Sequence, residues 1–279
     1  GDTRSEPLLP GPTPRGSAAA APSAAAVPIG PCPADMVVVE GSYCPAVEQT
    51  CVEHSRDYDE MEKERERARE RGEKPPINNV PERCQRFREP SRCTSAERRP
   101  MRLCIDRHEW PNRPGEMPAL LVTWTEAKAL CEGASKRLCT ADEFNFACEG
   151  PDMLPYSYGF ERDPSRCNVD KPYVWPKRRL LPHAMCLNSV SCKAALEELD
   201  QRVPIGSQPR CTSPFGAFDL NGNVNEWVDR PGLDPPFRSG LKGGWWGPAR
   251  SRCRPMVIAH DENYAGYEVG FRCCRDAGR

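Results

Sequence analysis

The stretch VTWTEAKALCEGASKRLCTADEFNFAC, residues 122–148, has the pattern of two short helices joined by a tight turn. Thr125 is placed to cap the first helix, and Gly133 is placed to end it. Thr140, with Glu143 three residues later, forms the capping-box pattern that starts the second helix. The stretch therefore predicts a pair of short amphipathic helices at the centre of the fold.

The segments around this helix pair have the patterns of strands and turns. Residues 36–39 are a short β-rich run, and Leu103 and Ile105 alternate with polar neighbours in a second strand pattern. Residues 214–279 combine strand patterns with glycine turns. Together with 31 prolines and 21 glycines, these patterns predict an irregular, loop-rich α+β fold.

The chain has sixteen cysteines, far more than a reduced cytosolic protein normally carries, and the number is even. Tight zinc-binding spacing is absent, because the sequence has no C-x-x-C pair and its four histidines are scattered. The cysteines therefore predict a disulfide framework and an extracytoplasmic location: periplasm, outer-membrane surface or secreted. The net charge of −1 argues against nucleic acid and anionic membranes as partners.

Residues 1–30 are rich in alanine and proline and are predicted to be a disordered tether. A tether of this composition suits a lipid-anchored envelope protein, and the anchoring cysteine would lie upstream of this chain. The sequence has no run of about 18 apolar residues, so it predicts no transmembrane segment.

Residues 31–279 are predicted to form a single domain with two insertions. The first, at about residues 52–76, is dense in glutamate and arginine at i,i+4 spacing and predicts a charged helix. Its alternating charges favour a solvated insertion over a partner-binding helix. The second, at about residues 171–210, carries Cys186, Cys192 and a short helix.

Several blocks of the sequence occur in the order typical of one family. They are MVVVEG at 36–41, the helix pair at 122–148, FGAFDLNGNVNEWV at 215–228, GGWW at 243–246 and GFRC at 270–273. In these blocks the chain resembles the formylglycine-generating enzyme, or sulfatase-modifying factor, family. The resemblance implies an irregular, loop-rich α+β fold of the C-type-lectin type, here cross-linked by disulfides.

The resemblance also implies that the family's copper chemistry is absent. Catalytic members have two cysteines, five positions apart, after G-G-S-W; they bind copper and oxidise a substrate cysteine to formylglycine. At that spacing this chain has Pro248 and Cys253. Proline has no thiol, so no copper is expected. If the chain is nevertheless an enzyme, Cys253 and Arg250 are the candidates for its catalytic residues.

The family's calcium loops have counterparts in DLNGNVNE, residues 219–226, and SRCNVD, residues 165–170. The resemblance implies a structural calcium ion held by side chains or carbonyls of Asp219, Gly222, Val224 and Glu226, with Asn168 and Val169 in a related site. Clustered hard oxygen ligands suit calcium. The alternative is that Asp219 and Asn223 only close turns through bonds to the backbone.

The helix pair also leads to predicted disulfides. Cys131 and Cys139 flank the turn, and a bridge between them is predicted from that short separation. The resemblance implies a bridge from Cys148 to Cys273. Adjacent residues of a strand face opposite ways, so Cys274 is expected to have a different partner.

Trp245, Trp246, Arg250 and Arg252 are the candidate binding residues, since guanidinium and indole groups bind peptides and sugars. The alternative is that one of the two tryptophans lies in the core. The resulting prediction is a non-catalytic binding or structural module of the bacterial envelope, with a protein, peptide or glycan as partner. The alternative is an enzyme of the same fold with different chemistry, as in a family branch that completes a siderophore chromophore without the cysteine pair.

Overall fold

A computed structural model describes residues 30–77, 80–175 and 189–278. The helices within these ranges are α1 Arg56–Glu70, α2 Trp124–Gly133, α3 Ala141–Glu149 and α4 Val190–Glu197. The strands are β1 Met36–Tyr43, β2 Val47–Glu48, β3 Cys51–His54, β4 Cys84–Phe87, β5 Arg92–Cys93, β6 Arg99–Asp106, β7 Arg137–Leu138, β8 Asn225–Asp229, β9 Ser239–Lys242, β10 Val269–Phe271 and β11 Cys273–Asp276. Long loops connect these short elements, which confirms the irregular α+β fold.

Two small sheets organise the described part of the chain. The larger has the strand order β1-β6-β11-β7, with β1 and β6 antiparallel from Met36 opposite Asp106 to Tyr43 opposite Arg99. The smaller has the order β10-β8-β9, in which β10 runs parallel to β8 and β9 runs antiparallel to it. Strands β10 and β11 follow each other directly, so the end of the chain joins the two sheets.

The N-cap of the first helix of the central pair lies two residues earlier than predicted. Thr123, not Thr125, is the N-cap of α2: its hydroxyl accepts from the Glu126 N–H, and the Glu126 carboxylate accepts from the Thr123 N–H. A capping box needs the acidic residue three positions after the cap, and only Thr123 satisfies that spacing. The predicted Thr140–Glu143 box of α3 is confirmed.

The two helices pack on opposite sides of the C-terminal strands and create two cores. In one core, Phe144 and Phe146 of α3 pack against Leu103 of β6. In the other, Trp124 of α2 packs against Trp227 of β8 and their neighbours on β10. The two helices of the opening stretch therefore fix both sheets in place.

Seven disulfides lie within the described residues. They are Cys32–Cys104, Cys44–Cys93, Cys51–Cys84, Cys131–Cys273, Cys139–Cys274, Cys148–Cys253 and Cys167–Cys211. Cys192 is also disulfide-bonded, whereas Cys186 lies outside the described residues. The cysteine-rich composition is therefore used for cross-linking, as the sequence predicted.

The two predicted pairings, Cys131–Cys139 and Cys148–Cys273, are wrong. Cys273 and Cys274 are consecutive on β11 and face its opposite sides, as predicted, so each reaches a different core. Cys131 lies in the core of α2 and pairs with Cys273; Cys139 lies in the core of α3 and pairs with Cys274. The pairing is decided by which side of β11 each cysteine faces, and not by the short sequence separation of Cys131 and Cys139.

The charged insertion contains the predicted helix, α1, which is mostly exposed and buries only Ala68. Arg56 and Glu60 form an i,i+4 ion pair on its surface. Among the described helices, none combines the length and the apolar character needed to cross a membrane. The predicted tether spans residues 1–30, of which residues 1–29 lie outside the described part of the chain.

Candidate functional site

A cleft of about 660 Å³ lies beside strand β9, at the segment that contains the tryptophan pair. It is lined by Val80, Pro81, Glu82, Tyr173, Trp175, Asn225, Leu241, Gly244, Trp245, Pro248, Ala249, Arg250, Pro255 and Val257. This volume is in the range of small-molecule sites, and most of the lining side chains are apolar or aromatic, as in such sites generally.

The two candidate tryptophans have different positions. Trp245 is half-buried and lines the cleft, whereas Trp246 is fully buried and packs 5.5 Å from Trp245, ring centre to ring centre. Tyr173 lies 6.2 Å from Trp245, and Trp175 lies 4.7 Å from Tyr173. A chain of rings thus runs from the core to the rim of the cleft, where Trp175 is 79% exposed.

The two candidate arginines also differ. Arg250 is exposed and lines the cleft, and no hydrogen bond or ion pair from its guanidinium to another described residue is present. Arg252 stacks over the Phe87 ring at 5.1 Å and forms an ion pair with Glu82 at 3.3 Å. The Arg250 guanidinium is therefore available to a ligand, whereas Arg252 fixes Glu82, one of the residues that line the cleft.

The candidate catalytic cysteine is a structural bridge. Cys253 is fully buried and disulfide-bonded to Cys148 at the end of α3. Pro248, which the family resemblance aligns with the first cysteine of the copper pair, lines the cleft. Neither Pro248 nor the bridged Cys253 offers a free thiol, so Arg250 has no thiolate to activate at these positions.

The predicted calcium loop is a tightly folded turn. Asp219, Gly222 and Asn223 all have φ between 56° and 83°, the left-handed region that glycine tolerates best. A Cβ on Gly222 would lie 2.4 Å from the carbonyl oxygen of Asn168, so only glycine fits there. The Asn223 N–H donates to that same carbonyl at 2.9 Å. The two predicted calcium loops are thus packed directly on each other.

Arg272 lies fully buried beside this turn and binds Glu226 through two hydrogen bonds of 2.6 and 2.7 Å. Its guanidinium also donates to the carbonyls of Asp106 and Phe218. Arg272 therefore has a structural role in the core. Burial raises the pKa of the Glu226 carboxyl, and the Arg272 charge opposes that rise.

Sequence reasoning missed a third buried carboxyl, Glu109. It accepts from the Asn223 side-chain amide at 2.9 Å and from the Val224 N–H at 3.3 Å. Burial raises its pKa, and the nearby charges of Asp219 and Glu226 raise it further. The only feature of the sequence that pointed to Glu109 was its position shortly after a predicted strand. The charges of Glu109, Asp219 and Glu226 therefore all act on the buried guanidinium of Arg272.

The predicted calcium ligands fit the ion only in part. Asp219 Oδ1 and Asn168 Oδ1 are buried and have no hydrogen-bond partner, which suits oxygen ligands of a hard cation. Glu226 does not fit, because both of its oxygens accept from Arg272. The described residues contain no group of three or more histidine, cysteine, aspartate or glutamate side chains arranged to hold a metal ion. The carbonyls of Gly222, Val224 and Val169 lie in the same two loops.

The cleft also contains residues that the sequence did not single out. Tyr173 and Trp175 come from the predicted second insertion, and Asn225 begins β8. The run KPYVWP, with two aromatic residues between prolines, was the available signal for Tyr173 and Trp175. Nothing in the sequence marked Asn225 as a residue of the cleft, because it reaches the cleft only when β8 forms in the folded sheet.

Comparison with known proteins agrees with this arrangement. The sequence profile of the sulfatase-modifying factor enzyme 1-like domain matches residues 37–277. The chain is 29% identical over 195 residues to the inactive C-alpha-formylglycine-generating enzyme 2 of Bos taurus; the match covers 63% of this chain and 59% of that protein. It is 25% identical to the formylglycine-generating enzyme of Mycobacterium tuberculosis (strain ATCC 25618 / H37Rv), covering 57% of each. The chain thus spans less than two thirds of these relatives.

A solved structure of CarF has a similar fold, with a TM-score of 0.51 and 13% identity; the superposition covers 88% of this chain and 98% of CarF. At that identity the likeness concerns the fold alone. The profile match spans most of the chain and includes both sheets, the helix pair and the loop under Arg272. The chain therefore belongs to the sulfatase-modifying factor enzyme 1-like domain family, the family of the formylglycine-generating enzymes.

Proposed function

We propose that this chain is a non-catalytic binding module that works outside the cytoplasm, in a bacterial envelope. The observation that carries the proposal is the Cys148–Cys253 disulfide beside Pro248, which leaves no thiol at either position of the copper pair. Without two thiolates the soft metal ion has no ligands there. The similarity to an inactive relative supports the same conclusion.

The form of the cleft supports binding over altered catalysis. Its lining includes few ionisable groups, Glu82, Arg250 and Tyr173, and the buried carboxyls with raised pKa lie elsewhere, around Arg272. Acid–base catalysis needs a titratable group within hydrogen-bond reach of the substrate. The aromatic walls and the unpaired Arg250 instead suit recognition of a ligand.

The location outside the cytoplasm is supported by the seven described disulfides, which persist only in an oxidising compartment. The envelope location, with a lipid anchor upstream of the tether, is the specific form of this proposal. It accounts for an Ala/Pro-rich segment that would hold the module away from a membrane surface.

The copper assay tests the proposal. The purified protein is loaded with copper and incubated under oxygen with a Cys-x-Pro-x-Arg peptide, and the product is analysed for aldehyde by mass spectrometry. We expect none, either from the natural chain or from Pro248→Cys, because the second position is held in the bridge to Cys148. The matched control peptide has serine for cysteine. Turnover by the natural chain would contradict the proposal.

We also propose a structural calcium ion at the turn that contains Asp219, close to Asn168. The support is the pair of buried oxygens without a hydrogen-bond partner, Asp219 Oδ1 and Asn168 Oδ1. A ligand bound only by the native state raises its stability by mass action. The melting temperature should therefore fall in chelator relative to millimolar calcium, and Asp219→Asn should abolish the difference. Equal melting curves for the natural chain would contradict this.

A further inference from the structure

Two aromatic side chains of the cleft remain partly or largely exposed to solvent instead of packing in a core. Trp175 is 79% and Tyr173 39% exposed, and their rings are nearly perpendicular, at 75°. Trp245 continues the wall toward the core. Flat aromatic rings of this kind, wet on one side, are typical of ligand sites. The faces of pyranose rings carry C–H groups that stack on such surfaces.

The inner part of the cleft carries an unpartnered polar group. Asn225 is only 7% exposed, yet its side-chain amide forms no hydrogen bond with another described residue. Its backbone N–H is already satisfied by the Glu268 carbonyl. Its amide atoms are not among the buried atoms without a partner, so they remain open to solvent from the cleft. The Asn225 amide presents one acceptor and two donors toward the cleft, a combination that matches neighbouring hydroxyl groups.

The charges of the cleft are not balanced. Glu82 is engaged by Arg252 at 3.3 Å and by His54 at 3.5 Å. Arg250 has no acidic partner among the described residues and lies at the exposed edge. A planar guanidinium binds carboxylates in bidentate fashion. The cleft therefore favours a ligand that carries a carboxylate.

The main chain near the cleft offers no free strand edge to an extended peptide. Leu241 of β9 donates to the Val257 carbonyl and accepts from the Val257 N–H, both at 2.9 Å. The other edge of β9 pairs with β8. Peptides that add a strand to a sheet need such an edge. Recognition in this cleft therefore depends on side chains: rings, one amide and one guanidinium.

We propose that the cleft binds an acidic saccharide, a short oligosaccharide of hexuronic acid units. In this arrangement sugar rings stack on Trp175 and Trp245, the Asn225 amide binds ring hydroxyls, and Arg250 binds a uronate carboxylate. This inference rests on the proposed binding function and names its ligand class.

Isothermal titration calorimetry with tri-galacturonic acid tests the proposal, with its methyl ester and a proline-rich decapeptide as comparison ligands. We expect the acid to bind, and Trp175→Ala to weaken binding about tenfold, because a sugar ring loses the exposed indole face on which it stacks. Arg250→Gln should weaken binding of the acid about tenfold and leave binding of the ester unchanged, since a hydrogen bond to a charged group is lost. Both side chains are exposed, so both variants should fold.

Phe237→Ala and Arg88→Gln are the matched controls, since Phe237 and Arg88 are exposed and lie outside the cleft. Neither should change the affinity for the acid. Equal affinity for acid and ester, no binding of the acid, or loss of affinity in the controls would overturn the proposal. Tighter binding of the peptide than of the acid, lost in Trp175→Ala, would also overturn it while leaving the binding function intact. Only formylglycine formation would contradict that function.

Discussion

Trp245 and Trp246 are neighbours in sequence but belong to two different regions of the molecule. Trp246 is fully buried and packs on Tyr267, and two residues that lie further along the same segment are also fixed, Cys253 by a disulfide and Arg254 by an ion pair to Glu149. Trp245 lines the cleft with Arg250, which has no ion-pair partner among the described residues. Charge and aromatic content alone therefore do not mark a binding site: Arg254 is paired and stabilises the fold, whereas Arg250 faces an open cleft.

The largest expected effect is on the buried ion pair. Arg272→Met removes the partner of Glu226 and two hydrogen bonds to carbonyls, so a buried carboxylate loses its counter-charge. We expect the free energy of unfolding in urea to fall by about 4–5 kcal/mol. Arg250→Gln, in the cleft, should change it by less than about 0.5 kcal/mol. A similar loss in both variants would remove the distinction between the two regions.

The tryptophans give the same contrast through packing. Trp246→Ala leaves a large cavity in the core and should lower the free energy of unfolding by about 3–4 kcal/mol. Trp175→Ala should leave it within about 0.5 kcal/mol, because the ring is largely in water. Urea unfolding followed by circular dichroism measures both. A loss of several kcal/mol of unfolding free energy in Trp175→Ala would show that this ring packs in the core.

The Cys148–Cys253 bridge should have an intermediate effect. Because Cys139–Cys274 already joins the same two segments, the bridge closes an effective loop of only about 30 residues, and its entropic contribution is roughly 3 kcal/mol. A paired Cys148→Ser, Cys253→Ser variant should lose that amount in urea unfolding. Affinity for a cleft ligand should be retained under conditions where the variant is folded. Loss of binding by the folded variant would show that the bridge shapes the cleft directly.

The smallest effect concerns pH. Burial, assisted by the charges of Arg272 and Arg107, lowers the pKa of His108 to about 4, whereas an ordinary histidine titrates near 6.5. The native state therefore keeps His108 neutral, and its contribution to stability is complete above pH 6.5 and is lost as the pH falls toward 4. Between pH 7 and 5 the natural chain should lose roughly 2 kcal/mol more than His108→Phe, which preserves stacking on Phe218. Parallel losses would show that His108 does not titrate in this range.

Local patterns predicted much of this fold. The capping box at Thr140, the strands around residues 36–39 and 103–105, and the charged helix are all set by neighbours in sequence. The predicted disulfide pairs failed because pairing depends on which face of β11 each cysteine occupies. Spacing in the sequence carries no information about that.

The candidate site was predicted less completely, for a similar reason. Trp245 and Arg250 were found because they lie in one short stretch. Tyr173 and Asn225 come from distant segments that meet only in the folded chain. Glu109 was missed because its partners, Asn223 and Val224, lie more than a hundred residues away.

The most direct test of the central claim is a disulfide map of the unreduced protein after native alkylation. Trypsin should leave residues 138–162, which contain Cys139 and Cys148, joined to peptides that contain Cys253 and Cys274. Further cleavage at Asp142 or Glu143 separates the two bridges. We expect a disulfide-linked peptide pair that contains Cys148 and Cys253, and no alkylated Cys253. An alkylated Cys253, or Cys253 joined to any other cysteine, would contradict the claim that Cys253 is a structural bridge to Cys148.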